Sequence, residues 1–484
     1  MQVLIRTGCF ALLVAGLPLA PALAAAPDAT QLRREVIAAL EDVGGAGNEQ
    51  LLVFRRVDVE PEGKAFRVTI DRLGVRLEPD IWTLGTFGFR ITPRVDGDYD
   101  IDDLTAPAEM PMKLKRDEVA AHLGSASLSG VWSPKARDFL DLDMRIEKLE
   151  AEGSDGKAAI DNLTLTLTSK DAGGGRWNRA TKLVVDGARI ANDEDMGLSL
   201  GEIAVASDVA SFDLLGWTQL RTKLQAAEAA GKPLDKATLK QLGDLGKLFG
   251  ASKVVLRLAD LTFEDKKKDG GRFVLPTAIL SFGLSRLDQP LATVSMGLAY
   301  DGASIVTGDE KDDALAAALA PRRVSFSLSL EDLPTKQIFA ALIAIGIQSE
   351  GTKSGKGDFA IDLLAAMHQA IEDAGSKLRI APSEIDSRLV KTKLEGLAQA
   401  SSKASLGGVA VFKFEVTGLD AAIAAAKRVL GEKDKDTAKV LDVLRLAGER
   451  HTESDGTVVD RYTFSLSPDG EMKINDKPFD SLFE

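Results

Sequence analysis

Leu140-Asp141-Leu142-Asp143-Met144-Arg145-Ile146 carries an apolar side chain at every second position and a charge between each pair. A strand turns successive side chains to opposite faces, so this spacing makes a strand with one apolar and one charged face. The same alternation recurs along the chain. Phe66, Val68 and Ile70 alternate with Arg67, Thr69 and Asp71, and Phe87, Phe89 and Ile91 repeat the pattern. Leu163, Leu165 and Leu167 alternate with threonines. Val254, Leu256 and Leu258 follow, then Leu280, Phe282 and Leu284, then Val294, Met296, Leu298 and Tyr300. One-sided strands belong to antiparallel sheets, because strands buried in parallel sheets are apolar on both faces.

Polar, glycine-rich stretches separate these strands and read as surface turns: Lys170 to Gly175, and Glu264 to Gly271. Near the end, Tyr462, Phe464 and Leu466 lead into Pro468-Asp469-Gly470, and Met472 and Ile474 lead out, which is a hairpin signal. Helical spacing interrupts the pattern. Leu32, Val36, Ile37, Leu40 and Val43 share a helical stripe that Thr30 can cap and Gly44 can end. Trp217 and Leu220 precede a stripe of Leu234, Leu239, Leu242, Leu245 and Phe249. Two more stripes run over Ile338, Ala341, Leu342 and Ile345, and over Phe359, Leu363, Met367 and Ile371. The expected fold is α+β, with long antiparallel β-sheet and amphipathic helices packed on its apolar face. The expected division is a leader over 1–24, a β-rich domain over 25–305 with a helical insert near 214–250, and a strand-helix domain over 306–484. The loop Asp301 to Asp313 motivates that boundary, and Ser349 to Gly357 reads as a second connection.

Val324 to Leu333 and Ala410 to Leu419 match in their apolar positions, each a strand leading into a helix. A duplicated module accounts for this, and so does the general look of an amphipathic strand followed by a helix.

The first 24 residues bear on compartment. Arg6, the apolar run Cys9 to Leu19 and the small-residue site Ala22-Leu23-Ala24 form a secretory leader cleaved ahead of Ala25. The run is too short to span a bilayer, and the longest later apolar stretch, Ile338 to Ile347, is about half the length a spanning helix needs. Cys9 is the sole cysteine, so the mature chain has neither thiol nor disulfide and relies on its core. Cys9 precedes the apolar stretch and does not sit in a lipoprotein site. These features predict a bacterial periplasmic protein, in which the sequon Asn162-Leu163-Thr164 is incidental.

Sixty Lys and Arg stand against 73 Asp and Glu, a net charge of −13, with the two signs interspersed. That balance argues against nucleic-acid binding and against electrostatic docking on anionic lipid headgroups.

No catalytic, cofactor or metal-ligating set emerges. His122, His368 and His451 are far apart in sequence, no H-E-x-x-H is present, and no cysteine remains to hold zinc. His368 borders an apolar stripe and reads as a partly buried structural residue. Gly197-Leu198-Ser199-Leu200-Gly201 matches G-x-S-x-G, but a nucleophile elbow needs a following helix, and Glu202-Ile203-Ala204-Val205 reads as strand. Asp98, Asp100, Asp102 and Glu109 fall on a calcium-loop template, yet Asp103 replaces its glycine and Pro107 intrudes, so a solvated acidic loop is expected. A carboxylate pair of the glycosidase kind is left open by so many acids.

Leu84-Gly85-Thr86-Phe87, Val95-Asp96-Gly97-Asp98-Tyr99, Met110-Pro111 and Ser129-Gly130-Val131-Trp132 resemble a group of alphaproteobacterial periplasmic proteins defined by a domain of unknown function. Asp469 to Asn475 resembles the end of YdgA-like envelope proteins. The likeness covers scattered strands and transfers no site residue. It implies a periplasmic, β-rich protein without catalysis. The leading expectation is a protein that binds a lipid or other apolar ligand in envelope maintenance. A scaffold with a sealed core that only contacts proteins is the alternative, and a hydrolase is the remote one. An open apolar groove against a filled core separates the first two.

Overall fold

The computed structural model describes residues 28–44, 52–77, 80–113, 118–153, 156–192, 196–229, 238, 241, 244–265, 270–307, 320–335, 337, 368–430 and 443–482. The chain forms two compact units, Met1–Gln241 and Leu242–Glu484. The division at 305/306 read from the loop composition falls inside a short strand of the second unit.

The α+β expectation is corrected. Strands make up 66% of the described residues and helices 15%. All pairings among the described residues are antiparallel, as the one-sided alternation required. The described helices are short and do not form a layer over the sheet. The reason lies in strand length. Single strands run 16 to 18 residues, so a twisted meander can fold over its own apolar face. The helical stripe over Leu234 to Phe249 is only partly within the described residues, where Leu245–Leu248 is a single 3₁₀ turn. The stripe over Ile338 to Ile345, and Phe359 to Met367 of the next one, lie outside them.

The first unit begins with α1 (Ala29–Gly44), as the stripe predicted. Its cap is Asp28 rather than Thr30: the Asp28 carboxylate accepts from the Gln31 amide at 2.6 Å. Then come β1 (Leu52–Val53), β2 (Arg56–Glu62), β3 (Ala65–Leu77), β4 (Asp80–Pro93), β5 (Tyr99–Thr105) and β6 (Glu109–Lys113). β7 (Glu118–Ser133), β8 (Asp138–Gly153), β9 (Gly156–Gly173), β10 (Arg176–Asn192) and β11 (Met196–Phe212) follow as successive hairpins. Val36, Ala39 and Leu40 of α1 face Ile70, Phe89, Ile101, Leu128 and Phe139 from β3, β4, β5, β7 and β8. Five strands therefore converge on one helix. The void left between them is about 10 Å³ and wholly apolar, at the lower limit for one water. α2 (Leu214–Ala229) sits at a strand end, where the Thr218 hydroxyl donates to the Ala136 carbonyl in the β7–β8 turn at 2.6 Å.

Alternation shifts phase at one level across β7 to β11. Inward positions step by three rather than two: Leu123 to Ala126, Ile146 to Leu149, Ile160 to Leu163, Val185 to Ala188, and Leu200 to Ile203. The skipped positions line up as Gly124, Lys148, Asp161, Gly187 and Gly201, forming a crease across the sheet. Lys148 and Gly187 adopt left-handed backbone, φ 54° and 64°. A side chain at Gly187 would collide with the Asp161 carboxylate, which Arg189 holds at 2.8 Å. Breaks of this kind re-aim the side chains beyond them and increase local twist. The same device recurs within strands where a polar left-handed residue precedes leucine: Arg72-Leu73, Asp103-Leu104, Asp260-Leu261 and Asp332-Leu333.

The second unit holds β12 (Ala251–Asp265), β13 (Arg272–Ser285), β14 (Leu291–Asp301), β15 (Ser304–Val306), β16 (Arg323–Pro334), β17 (Lys377–Asp386), β18 (Lys391–Ala400) and β19 (Gly408–Thr417). α3 (Leu419–Leu430) follows, then β20 (Glu449–Thr452), β21 (Val458–Leu466), β22 (Met472–Ile474) and β23 (Lys477–Pro478). The repeat seen in sequence has a structural counterpart. β16 and β19 each end in a left-handed residue followed by leucine, Asp332-Leu333 and Gly418-Leu419. β11 ends at left-handed Ser211 followed by Phe212, ahead of α2.

Candidate functional site

Paired residues in an antiparallel ladder share a face. In the second unit the register therefore builds a row across the strands: Val254, Phe282, Met296, Leu328, Ile380, Gly396, Phe412, Phe464 and Ile474. The row extends about 38 Å at ~4.8 Å per strand. Leu256, Leu280, Leu298 and Phe326 form a parallel row on one side. Leu284, Val294, Leu330 and Leu378 form one on the other. None of these side chains is polar. Gly396 interrupts the row, and the Phe412 ring fills the gap: a Cβ at Gly396 would strike it. The opposite face is small and polar, with Ser281, Gly297 and Ser327 in register, as are Gly283, Ser295 and Ser329.

The two units use this pattern differently. In the first, Met144 and Leu163 are 0% and 1% exposed. In the second, Phe282, Met296 and Leu280 are 45%, 44% and 43% exposed. Leu298 and Leu330 are exposed beside them, so the open part spans β13, β14 and β16. The charges flanking this part pair among themselves. Asp332 holds Arg286 at 3.3 Å and Lys377 at 3.1 Å, Glu331 holds Arg379 at 2.9 Å, and Arg323 holds Asp301 at 3.0 Å. These partners keep the Asp332 and Glu331 carboxyls below their ordinary range, through the hydrogen bonds of Lys377 and Arg379 respectively.

A second concavity of about 330 Å³ involves Pro382, Ser383, Glu384, Lys393, Leu394, Glu395, Lys413 and Glu415. Two of its acids are already engaged, Glu384 with Lys391 at 2.9 Å and Glu415 with Arg461 at 3.1 Å.

The motifs singled out in sequence do not assemble a reactive centre. Ser199 of the G-x-S-x-G string lies mid-strand in β11, opposite Arg189, with strand on both sides; Gly201 belongs to the crease. The acidic loop is neutralised by arginines: Arg94 binds Asp100 at 3.0 Å and Asp96 at 3.2 Å, Arg90 binds Asp102 at 2.7 Å, and Arg67 binds Asp103. His122 lies on β7, in register with Glu109 and Glu150, and His451 lies on β20. His368 is exposed rather than partly buried, 3.4 Å from Glu372. Among the described residues no group of three or more His, Cys, Asp or Glu could hold a metal.

One buried acid had no signal in sequence. Glu35 of α1 is 4% exposed and lies over the apolar interior of the first unit. It accepts from the Tyr99 hydroxyl at 3.1 Å and from the Gln31 amide at 2.9 Å. Burial nonetheless raises its pKa above the ordinary carboxyl value.

Among the described residues no helix is long and apolar enough to cross a membrane. No family model, no curated protein and no solved structure gives a significant match to this chain.

Proposed function

We propose that the chain is an exported, periplasmic, non-catalytic protein that binds an apolar ligand in envelope maintenance, and that the ligand lies on the open face of the second unit. The exposure of Phe282, Met296 and Leu280 carries this reading, since the same pattern of residues is sealed in the first unit. Contiguous apolar surface of this kind on a folded protein marks an interaction site. The leader over residues 1–24, with Arg6 and Ala22-Leu23-Ala24, supports the compartment. The alternative, a protein-contact scaffold, draws its support from the sealed first unit alone.

The test is native purification, lipid extraction and mass spectrometry, together with titration of an apolar fluorescent probe against wild type and Met296→Asp. Co-purified lipid and saturable probe binding that Met296→Asp abolishes are expected. Absence of both lipid and probe binding in the wild type refutes the reading in favour of the scaffold.

A further inference from the structure

We infer that the concavity of about 330 Å³ on the polar face of β17, β18 and β19 binds a small zwitterion, its anionic group held by Lys393 and Lys413 and its ammonium by Glu395. A β-bulge opens the concavity. Between the pairs Ile380–Gly396 and Ser383–Leu394, β17 carries two residues, Ala381 and Pro382, against the single Glu395 of β18. Bulges bend the strand that carries them and re-aim nearby side chains, and they are common beside active sites. This one is pinned from within. Ser383 is 4% exposed, and its hydroxyl donates to the Ala381 carbonyl at 2.7 Å and accepts from the Ser327 amide at 3.2 Å. Charge pairing on this face stops at the hollow. Around it, Glu384 holds Lys391 at 2.9 Å, Glu415 holds Arg461 at 3.1 Å and Glu331 holds Arg379 at 2.9 Å. Inside it, register sets Lys413 opposite Glu395, and Lys393 opposite both Glu384 and Glu415. Yet Lys393, Glu395 and Lys413 make no ion pair or hydrogen bond with any of the described residues. Two cations and one anion thus surround the hollow uncommitted. A simple anion there meets Glu395 as a like charge, and a simple cation meets two ammonium groups; a zwitterion satisfies all three. Cross-strand neighbours such as Glu395 and Lys413 stand ~5 Å apart at Cβ, and Lys393 and Lys413 are diagonal neighbours within reach of long side chains. The ligand's two charges are therefore separated by about the same ~5 Å, the reach of a two-carbon linker. A phosphate and a carboxylate both meet the anionic requirement. The site lies on the face opposite Met296 and Phe412 and does not depend on the reading above.

The experiment is calorimetric titration of the full mature chain with O-phosphoethanolamine and β-alanine, two zwitterions with a two-carbon linker. Inorganic phosphate and ethanolamine serve as the separate halves, and salt is kept low, where exposed charges act most strongly. At least one zwitterion is expected to bind saturably and more tightly than inorganic phosphate or ethanolamine. A preference for O-phosphoethanolamine assigns the anion as a phosphate, and a preference for β-alanine assigns it as a carboxylate. Lys393→Gln and Lys413→Gln are each expected to weaken the zwitterion about tenfold, the loss of one charge-assisted hydrogen bond. Glu395→Gln is expected to weaken it by about the same factor while inorganic phosphate binds as well as before or better, a split that a structural role would not produce. All three side chains are exposed, so the variants are expected to keep the wild-type circular dichroism. Binding of neither zwitterion, binding unchanged in all three variants, or Glu395→Gln weakening phosphate as much as the zwitterion overturns the inference. Each of these results leaves the apolar-ligand reading, tested by Met296→Asp, untouched.

Discussion

Replacing Lys148 with valine tests the crease that sets which side chains enter the core of the first unit. On β8, Leu142, Met144 and Ile146 point inward, then Leu149 and Ala151; Glu147 and Lys148 are consecutive outward residues. Were residue 148 extended, strict alternation would continue through the strand, turning Leu149 and Ala151 to solvent and Lys148, Glu150 and Glu152 inward. Exposing Leu149 forfeits about 2–3 kcal/mol of apolar burial. An unpaired carboxylate buried in its place costs several kcal/mol more. The sum exceeds the roughly 1–3 kcal/mol of strain carried by a residue held in the left-handed region, so Lys148→Val, β-branched and poorly fitted to that region, is expected to keep the crease and to lose about 1–3 kcal/mol. Lys148→Gly is the matched control. It relieves an L-residue of left-handed backbone, worth about 1–2 kcal/mol, against a glycine entropy cost of about 0.5–1 kcal/mol. The net effect is near zero to slightly stabilising, while Glu147→Gly on the same strand, with no such relief, loses about 1 kcal/mol. All four tryptophans, Trp82, Trp132, Trp177 and Trp217, belong to the first unit, so urea unfolding followed by tryptophan fluorescence reports that unit alone. A Lys148→Val variant as stable as wild type would refute the phase argument, as would Lys148→Gly costing as much as Glu147→Gly.

Three further outcomes follow from the structure. Because burial raises the Glu35 pKa, α1 docks most firmly where Glu35 is protonated and loosens as pH rises through its folded-state pKa; Gln31, Arg34 and Tyr99 are the groups acting on it, and Arg56 and Asp58 on adjoining β2 pair with each other. Hydrogen exchange in residues 29–40 is expected to quicken with pH beyond the intrinsic rate in wild type but not in Glu35→Gln, and equal profiles would remove Glu35 as the cause. Gly396→Ala is expected to displace the Phe412 ring and cost about 1–3 kcal/mol in thermal unfolding of the second unit; an unchanged melting temperature would mean the ring yields freely. Leu328→Asp is expected to destabilise by about 2 kcal/mol and Ser327→Asp by less than about 0.5 kcal/mol, and equal losses would show that β16 is buried on both faces.

Much of this architecture was legible residue by residue. The alternation Leu140 to Ile146 is β8, Leu163 to Leu167 lies in β9, and the Pro468-Asp469-Gly470 turn joins β21 to β22. The three-residue steps, such as Ile146 to Leu149, were present in the sequence too, but strict period-two reading passes over them. Their meaning depends on neighbours, since Gly124, Asp161, Gly187 and Gly201 matter only once register aligns them beside Lys148. The G-x-S-x-G string misleads for the same reason: Gly201 answers to the crease and not to a nucleophile.

Local pattern determined the strands, their antiparallel pairing and the identity of the apolar face, because alternation is a property of a few consecutive residues. It also determined α1, although Asp28 and not Thr30 caps it and nothing in the sequence marks Glu35 as buried. What covers each face was decided only by tertiary structure. Met144 and Met296 occupy the same kind of position in the same kind of strand, yet one is sealed and the other open. Burial depends on whether other parts of the fold come round to cover a residue, and that is settled by accumulated twist and register across distant strands. No window of sequence holds that sum, so the apolar face could be named from the chain while its accessibility, on which the proposed function rests, could not.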